Sequence, residues 1–285
     1  MKSAILSLCI LIECCNPTLA RQSDSTRPFV LGVIQTLHSR ILGEDRILNI
    51  YLPDGYQAGD TTHYPVVYLL DGSADEDFIH VVGLYQFNSF PWINRVPKSI
   101  VVGIANVDRK RDFSYPTTIT DDKKKFPTTG QSSKFMDLLE QELQPFIQSK
   151  YRCNSSRTII GESLGGLFAT EVLVKRPSLF NKYIIISPSL WWDNGSLLRF
   201  DSMALIQIRN QTRVYIGVGK EGLTPGNFPR VMEVDANQLA DKLQSLKIKN
   251  LSIYFDYLPA ENHASISHQS IFNALNWLYK NAETH

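Results

Sequence analysis

Usable cysteine is almost absent from this chain. Three of its four cysteines, Cys9, Cys14 and Cys15, fall in an apolar N-terminal stretch, and Cys153 stands alone in the remainder. With that stretch set aside, no intramolecular disulfide can form and no cysteine-based zinc site can be built. An excess of one charge is also lacking, since 29 Lys and Arg against 28 Asp and Glu give a formal net charge of +1. That leaves no global field to draw nucleic acid or an anionic membrane, and neither is expected as a partner. No later segment is apolar for long enough to span a bilayer. Internal repeats and low-complexity tracts are missing. So are a zinc-protease helix, paired metal-binding carboxylates and a glycine-rich phosphate loop, so no metal or cofactor is expected.

What is present begins with a leader. Met1 to Ala20 reads as an export signal, with Lys2 as the positive region, Ala4 to Ile12 as the apolar core and Thr18-Leu19-Ala20 as a small-residue cleavage site. The mature protein is therefore expected to be periplasmic or secreted. Residues 21–28 read as a polar linker, and residues 29–285 are enough for one large α/β domain. Asn-x-Ser/Thr triplets start at Asn154, Asn194, Asn210 and Asn250 and matter only in a host that glycosylates.

Along the chain, Phe29 to Ile41 and Asp45 to Leu52 predict an antiparallel pair turning at Gly43. Val66 to Leu70, Ser99 to Ala105, Tyr183 to Ser187 and Val214 to Val218 are continuous apolar runs, suited to strands buried on both faces. Asn106 to Ser133 has no periodicity and predicts a long loop, either functional or mobile. Helical spacing is read over Phe135 to Tyr151, with a kink at Pro145, and again over Met232 to Leu246 and Ile271 to Tyr279. Leu251 to Tyr257 is the last strand. Strands alternating with helices predict a mostly parallel sheet covered on both faces.

The chemistry centres on Thr158 to Ala169, where a β-branched run enters Gly161-Glu162-Ser163-Leu164-Gly165 and a small-residue run leaves it. A Gly-x-Ser-x-Gly elbow between strand and helix holds its serine on a tight, strained turn at a helix N-terminus, where developing negative charge is favoured. Serine needs an adjacent base to become a nucleophile. In an α/β-hydrolase fold that base follows the last strand, which selects His263 over His268, expected at the start of the closing helix. His38, His63 and His80 come too early. The acid should follow the strand ending at Val218: Glu221 is the candidate, with Glu233 and Asp235 as rivals. Oxyanion donors are expected from the backbone of Leu164 and of Gly72 or Ser73. Asp71 is either a turn former or a binding residue.

Five stretches together resemble the esterase-D-like "putative esterase" branch of α/β-hydrolases, which includes enterochelin-type siderophore trilactone esterases and feruloyl esterases. They are Tyr64 to Gly72; Val101 to Ile104 with Asp108-Arg109-x-Arg111-Asp112; Gly161 to Gly166; Ser187-Pro188-Ser189-Leu190-Trp191-Trp192; and Glu261-Asn262-His263. The resemblance spans nearly the whole mature chain. It implies an α/β-hydrolase fold and a serine esterase with Ser163 as nucleophile and His263 as base; its third member varies, and some relatives work with a dyad. It also implies a small-molecule ester substrate, either a siderophore-type lactone or an aryl or acyl ester. Trp191 and Trp192 are expected either to wall an acyl or aryl group or to pack. Arg109 and Arg111 either meet an anionic substrate or bridge to neighbouring carboxylates. Acyl transfer at the same site, and a non-catalytic binding protein on the same fold, are the alternatives; retention of both Ser163 and His263 counts against the second.

Overall fold

The computed structural model describes residues 26–225 and 228–280. Contacts divide the chain into residues 1–30 and Leu31–His285. Of the first unit only 26–30 are described, without regular secondary structure, and the export signal read at residues 1–20 lies outside the described residues.

Eight strands form one sheet in the order β1-β2-β4-β3-β5-β6-β7-β8. They are β1 (Val33–Ser39), β2 (Glu44–Tyr51), β3 (Tyr64–Leu69), β4 (Ile100–Ile104), β5 (Cys153–Glu162), β6 (Lys182–Ile186), β7 (Thr212–Gly219) and β8 (Leu251–Leu258). β1 and β2 pair antiparallel around Gly43, whose φ of 67° suits a residue without a Cβ. β2 also runs antiparallel to β4, and every later pairing is parallel. The central strands are buried on both faces because their side chains alternate between two apolar layers. Tyr68, Ile159 and Ile185 point into one layer; Leu69, Ile160 and Ile184 point into the other.

The helices are α1 (Phe78–Asn88), α2 (Arg109–Phe113), α3 (Thr120–Lys125), α4 (Ser132–Leu138), α5 (Gln144–Lys150), α6 (Leu164–Lys175), α7 (Trp192–Gly195), α8 (Met232–Ser245) and α9 (Ile266–Leu278). α1 and α9 fill one layer, and α4, α6 and α8 fill the other. α1 has no counterpart among the elements predicted from the sequence. The expected kink at Pro145 is instead a π turn over Leu139–Leu143, immediately before it, in which the Gln144 N–H reaches back to Leu139 O. Pro145 itself sits at the start of α5, where its missing N–H is tolerated. The closing helix starts earlier than its periodicity predicted, so His268 lies in its first turn. No helix among the described residues is long and apolar enough to cross a membrane.

The expected loop from Asn106 to Ser133 contains α2 and α3 and is pinned at several points. Asp193 Oδ1 accepts from Thr117 Oγ1 (2.9 Å), the Thr118 N–H (2.7 Å) and Thr118 Oγ1 (2.9 Å). Trp192 Nε1 donates to Tyr115 O at 2.9 Å. A loop held through buried hydrogen bonds at its middle is a wall, not a floating lid. β3 has neighbours on both sides that come later in the chain, so the crevice at the carboxyl ends of β3 and β5 is the place where this topology opens a site.

Candidate active site

Ser163 stands between β5 and α6 with φ 57° and ψ −114°, a strained conformation for a residue with a side chain. The surroundings enforce it. The Ser163 N–H donates to Ile186 O at 3.0 Å, and Ser163 O accepts from the Leu167 and Ser189 N–H groups, each at 2.9 Å. A Cβ on Gly161 would stand 2.4 Å from Gly165 O, and one on Gly166 would stand 2.7 Å from Ile186 O. Gly165 is less constrained, with Asp71 Oδ2 the nearest atom at 3.3 Å. The steric demand therefore falls on Gly161 and Gly166, rather than equally on the two glycines of the pentapeptide.

His263 Nε2 lies 3.1 Å from Ser163 Oγ, and His263 Nδ1 lies 2.6 Å from Glu221 Oε2. The elements behind this chain are separate in sequence and close in space. His263 rides the turn after β8, which is tied to the turn after β7 by the Lys220 N–H donating to Glu261 O at 2.7 Å. The Glu221 side chain is only 3% exposed, whereas that of His263 is 48% exposed. Glu221 Oε1 accepts from Ser187 Oγ and from the Gly219 N–H at 3.3 Å.

The three acid candidates separate cleanly. Glu233 accepts from the Glu221 N–H (2.7 Å) and the Gly222 N–H (3.1 and 3.0 Å), so it holds the backbone of the turn carrying Glu221. Asp235 is engaged by Arg230 at 2.8 and 2.7 Å. Only Glu221 reaches the imidazole.

Electrostatics follow from this packing. The hydrogen bond to Glu221 raises the pKa of His263; burial opposes it, and the charges of Glu221 and Glu162 add to it. Burial pushes the Glu221 carboxyl up, but hydrogen bonds from His263 and Ser187 outweigh it and hold the group below the usual range. A carboxylate can only accept, so Nδ1 carries the hydrogen and Nε2 presents a lone pair to Ser163.

For Arg109, Arg111 and Trp192 the structure shows the carboxylate-bridging or packing alternative. Arg109 grips Asp71 in a bidentate pair, Nε to Oδ1 at 2.7 Å and Nη2 to Oδ2 at 2.9 Å, and Asn106 Nδ2 adds a bond to Oδ1 at 2.6 Å. Arg109 therefore braces the turn after β3, where Asp71 has φ 52°. Arg111 is likewise held by Glu44 and by Asp112 (2.8 Å), beside the buried Arg46. Trp192 is 2% exposed and packs in the core, and the partly buried Trp191 packs against the same cluster, edge-on to Trp192.

The oxyanion expectation narrows too. The Gly72 N–H already donates to Ile104 O at 3.0 Å, and Gly72 O accepts from Asn49 Nδ2 at 2.9 Å. Gly72 is needed for close approach, since its Cβ would stand 2.4 Å from Gly103 Cα. The Ser73 amide has no acceptor among the described residues. The Leu164 amide opens α6, where helix N–H groups have no intrahelical partner.

Sequence reasoning missed Ser187, Ser189 and the Glu162–Ser267 contact. Glu162 accepts a hydrogen bond from Ser267 Oγ in the first turn of α9, and its carboxyl is raised by burial. Small polar residues directly after a buried strand, as in Ser187-Pro188-Ser189, were the available signal. Among the described residues no three His, Cys, Asp or Glu side chains are grouped to hold a metal ion.

A family model described as "Putative esterase" matches residues 39–274. The chain belongs to this family. Ferri-bacillibactin esterase BesA of Bacillus subtilis (strain 168) is 28% identical over 237 residues, 78% of this chain and 81% of that protein. An IroE-like serine hydrolase from Shewanella oneidensis superposes with a TM-score of 0.77 at 34% identity, covering 87% of this chain and 80% of that one. The BES protein from Bacillus cereus gives 0.78 at 27% identity, covering 90% and 98%. This esterase family member is a carboxylic ester hydrolase on an α/β serine-hydrolase fold.

Proposed function

We propose that the enzyme works through an acyl-enzyme on Ser163, with His263 as base and Glu221 as the acid of a triad. The observation that carries this reading is the unbroken hydrogen-bonded chain from Ser163 Oγ through His263 to Glu221. His263 Nε2 takes the Ser163 proton while Oγ bonds to the carbonyl carbon and the π electrons move to the carbonyl oxygen. The amides of Leu164 and Ser73 receive that oxyanion. Collapse breaks the bond to the leaving alkoxide, which takes the proton from His263. Water then repeats the sequence: its proton goes to His263, hydroxide adds, the carbon–Oγ bond breaks and Oγ recovers a proton. Glu221 stays ionised throughout and stabilises the imidazolium.

The substrate is proposed to be a siderophore-type ester, a reading supported by the name of the Bacillus subtilis relative. Arg109 and Arg111 lend it no support, because both are held by carboxylates. Export is proposed from the leader at residues 1–20; the N-terminus of protein recovered from outside the cytoplasm tests it. The substrate test is a panel of p-nitrophenyl acetate, butyrate and octanoate, a feruloyl ester and a catecholate trilactone. The trilactone is expected to give the highest kcat/KM. Simple acyl esters exceeding it tenfold would leave a general short-chain esterase.

A further inference from the structure

We propose that Ser189 is a further catalytic residue, its hydroxyl donating a hydrogen bond to the nucleophilic oxygen of Ser163. The proposal rests on the reading of Ser163 as nucleophile. The two hydroxyl oxygens lie 3.3 Å apart. Distance alone leaves the direction of the bond open, but the count of protons decides it. With the hydrogen of His263 on Nδ1 toward Glu221, the bare Nε2 takes the Ser163 proton. Ser163 has no second hydrogen, so Ser189 is the donor and a lone pair of Ser163 Oγ accepts.

The surroundings permit little else. Ser189 is 2% exposed, and its hydroxyl has no other partner among the described residues. Its backbone is fixed on both sides, the N–H on Ser163 O at 2.9 Å and the carbonyl accepting the Trp192 N–H at 3.1 Å. The turn before it sits against Gly166, where a Cβ would stand 3.0 Å from Pro188 Cα. The preceding Ser187, at φ 42°, holds Glu221. One short turn after β6 thus touches both ends of the Ser163–His263–Glu221 chain.

As His263 draws off the Ser163 proton, Oγ gains negative charge and the bond from Ser189 strengthens. In deacylation the carbon–Oγ bond breaks, its electron pair returns to Oγ, and the same hydroxyl meets that charge before His263 delivers the proton. The Ser189 proton stays on Ser189 throughout. A contact that strengthens only as charge develops acts on kcat and leaves KM nearly alone.

The test compares S189A, S189C and S189T with the wild type on p-nitrophenyl butyrate and with a fluorophosphonate probe. Loss of a hydrogen bond to a partly charged oxygen should lower kcat about tenfold in S189A, with KM within about twofold. The labelling rate should fall by the same factor while Ser163 still labels to completion. S189C, which fills the space with a weak donor, should stay low, and S189T should recover. The acid limb of kcat/KM should not move, because Ser189 does not touch His263. S189A and S189C both within twofold of wild type would overturn the proposal, as would recovery by S189C, which would mean packing, or a shifted limb, which would mean action through His263. If S189T fails to fold, the S189A and S189C pair still decides. Wild-type protein that takes no label at Ser163 overturns the nucleophile reading and this proposal together; full wild-type labelling with unimpaired S189A overturns this one alone.

Discussion

Replacing Glu221 by glutamine should damage the enzyme more than replacing it by alanine. In the native site Glu221 Oε1 accepts from Ser187 and from the Gly219 N–H, while Oε2 accepts from His263 Nδ1 at 2.6 Å. A glutamine keeps its one oxygen on the side with the two donors, which turns its NH₂ group toward the imidazole. Nδ1 must then accept, the hydrogen moves to Nε2, and the lone pair facing Ser163 is lost. Freezing the wrong tautomer in a comparable triad costs about 10⁴ in kcat, and a fall of ~10³–10⁴ is expected here. Alanine leaves the ring free to choose its tautomer and removes one charge-assisted bond, worth about 1.5–3 kcal/mol when buried. Because His263 is half exposed, the lower part of that range applies, roughly ten- to thirtyfold in kcat. The alanine variant should also shift the acid limb of kcat/KM to lower pH, since the largest cause raising the His263 pKa is gone and burial remains. Initial rates on p-nitrophenyl butyrate across pH measure both effects. A glutamine variant as active as the alanine one, or within tenfold of wild type, would refute the tautomer argument and point to a dyad.

Four further outcomes follow from the same geometry. His263→Ala should lower kcat by at least ~10³ and His268→Ala only mildly; the reverse would misplace the base. Wild-type kcat/KM should rise with pH through a midpoint above the ordinary histidine value of 6.5, because the base must be unprotonated and its folded pKa is raised. Glu162→Gln should lower that midpoint, and an unmoved midpoint would remove Glu162 from the electrostatics of the site. Gly161→Ala should destabilise by about 3 kcal/mol, since its Cβ meets a backbone oxygen that cannot yield. Gly165→Ala should cost clearly less, and thermal unfolding of both variants checks the contrast.

What the sequence made legible was set by local rules. The central strands are apolar on both faces because they are buried on both faces, and the elbow announces itself because its strain demands glycine. α1 escaped because Ile79 and Phe87 put apolar residues on its exposed side and blur the helical period. α2 and α3 were too short to show one. The role of Arg109 stays open in sequence for a different reason: its partner Asp71 lies 38 residues earlier, and only the fold sets them side by side. The exclusion of Gly72 as an oxyanion donor also came from tertiary structure, through its bond to Ile104. Glu221, Glu233 and Asp235 are chemically equivalent in sequence, and their roles separate only by which atoms each carboxylate reaches.

A fluorophosphonate probe with peptide mass analysis of the folded protein tests whether Ser163 is the nucleophile activated by His263. One adduct is predicted, on Ser163, formed in the wild type, absent in Ser163→Ala and strongly slowed in His263→Ala. A wild-type protein that hydrolyses esters but remains unlabelled at Ser163, or a Ser163→Ala variant that keeps its activity, would contradict it.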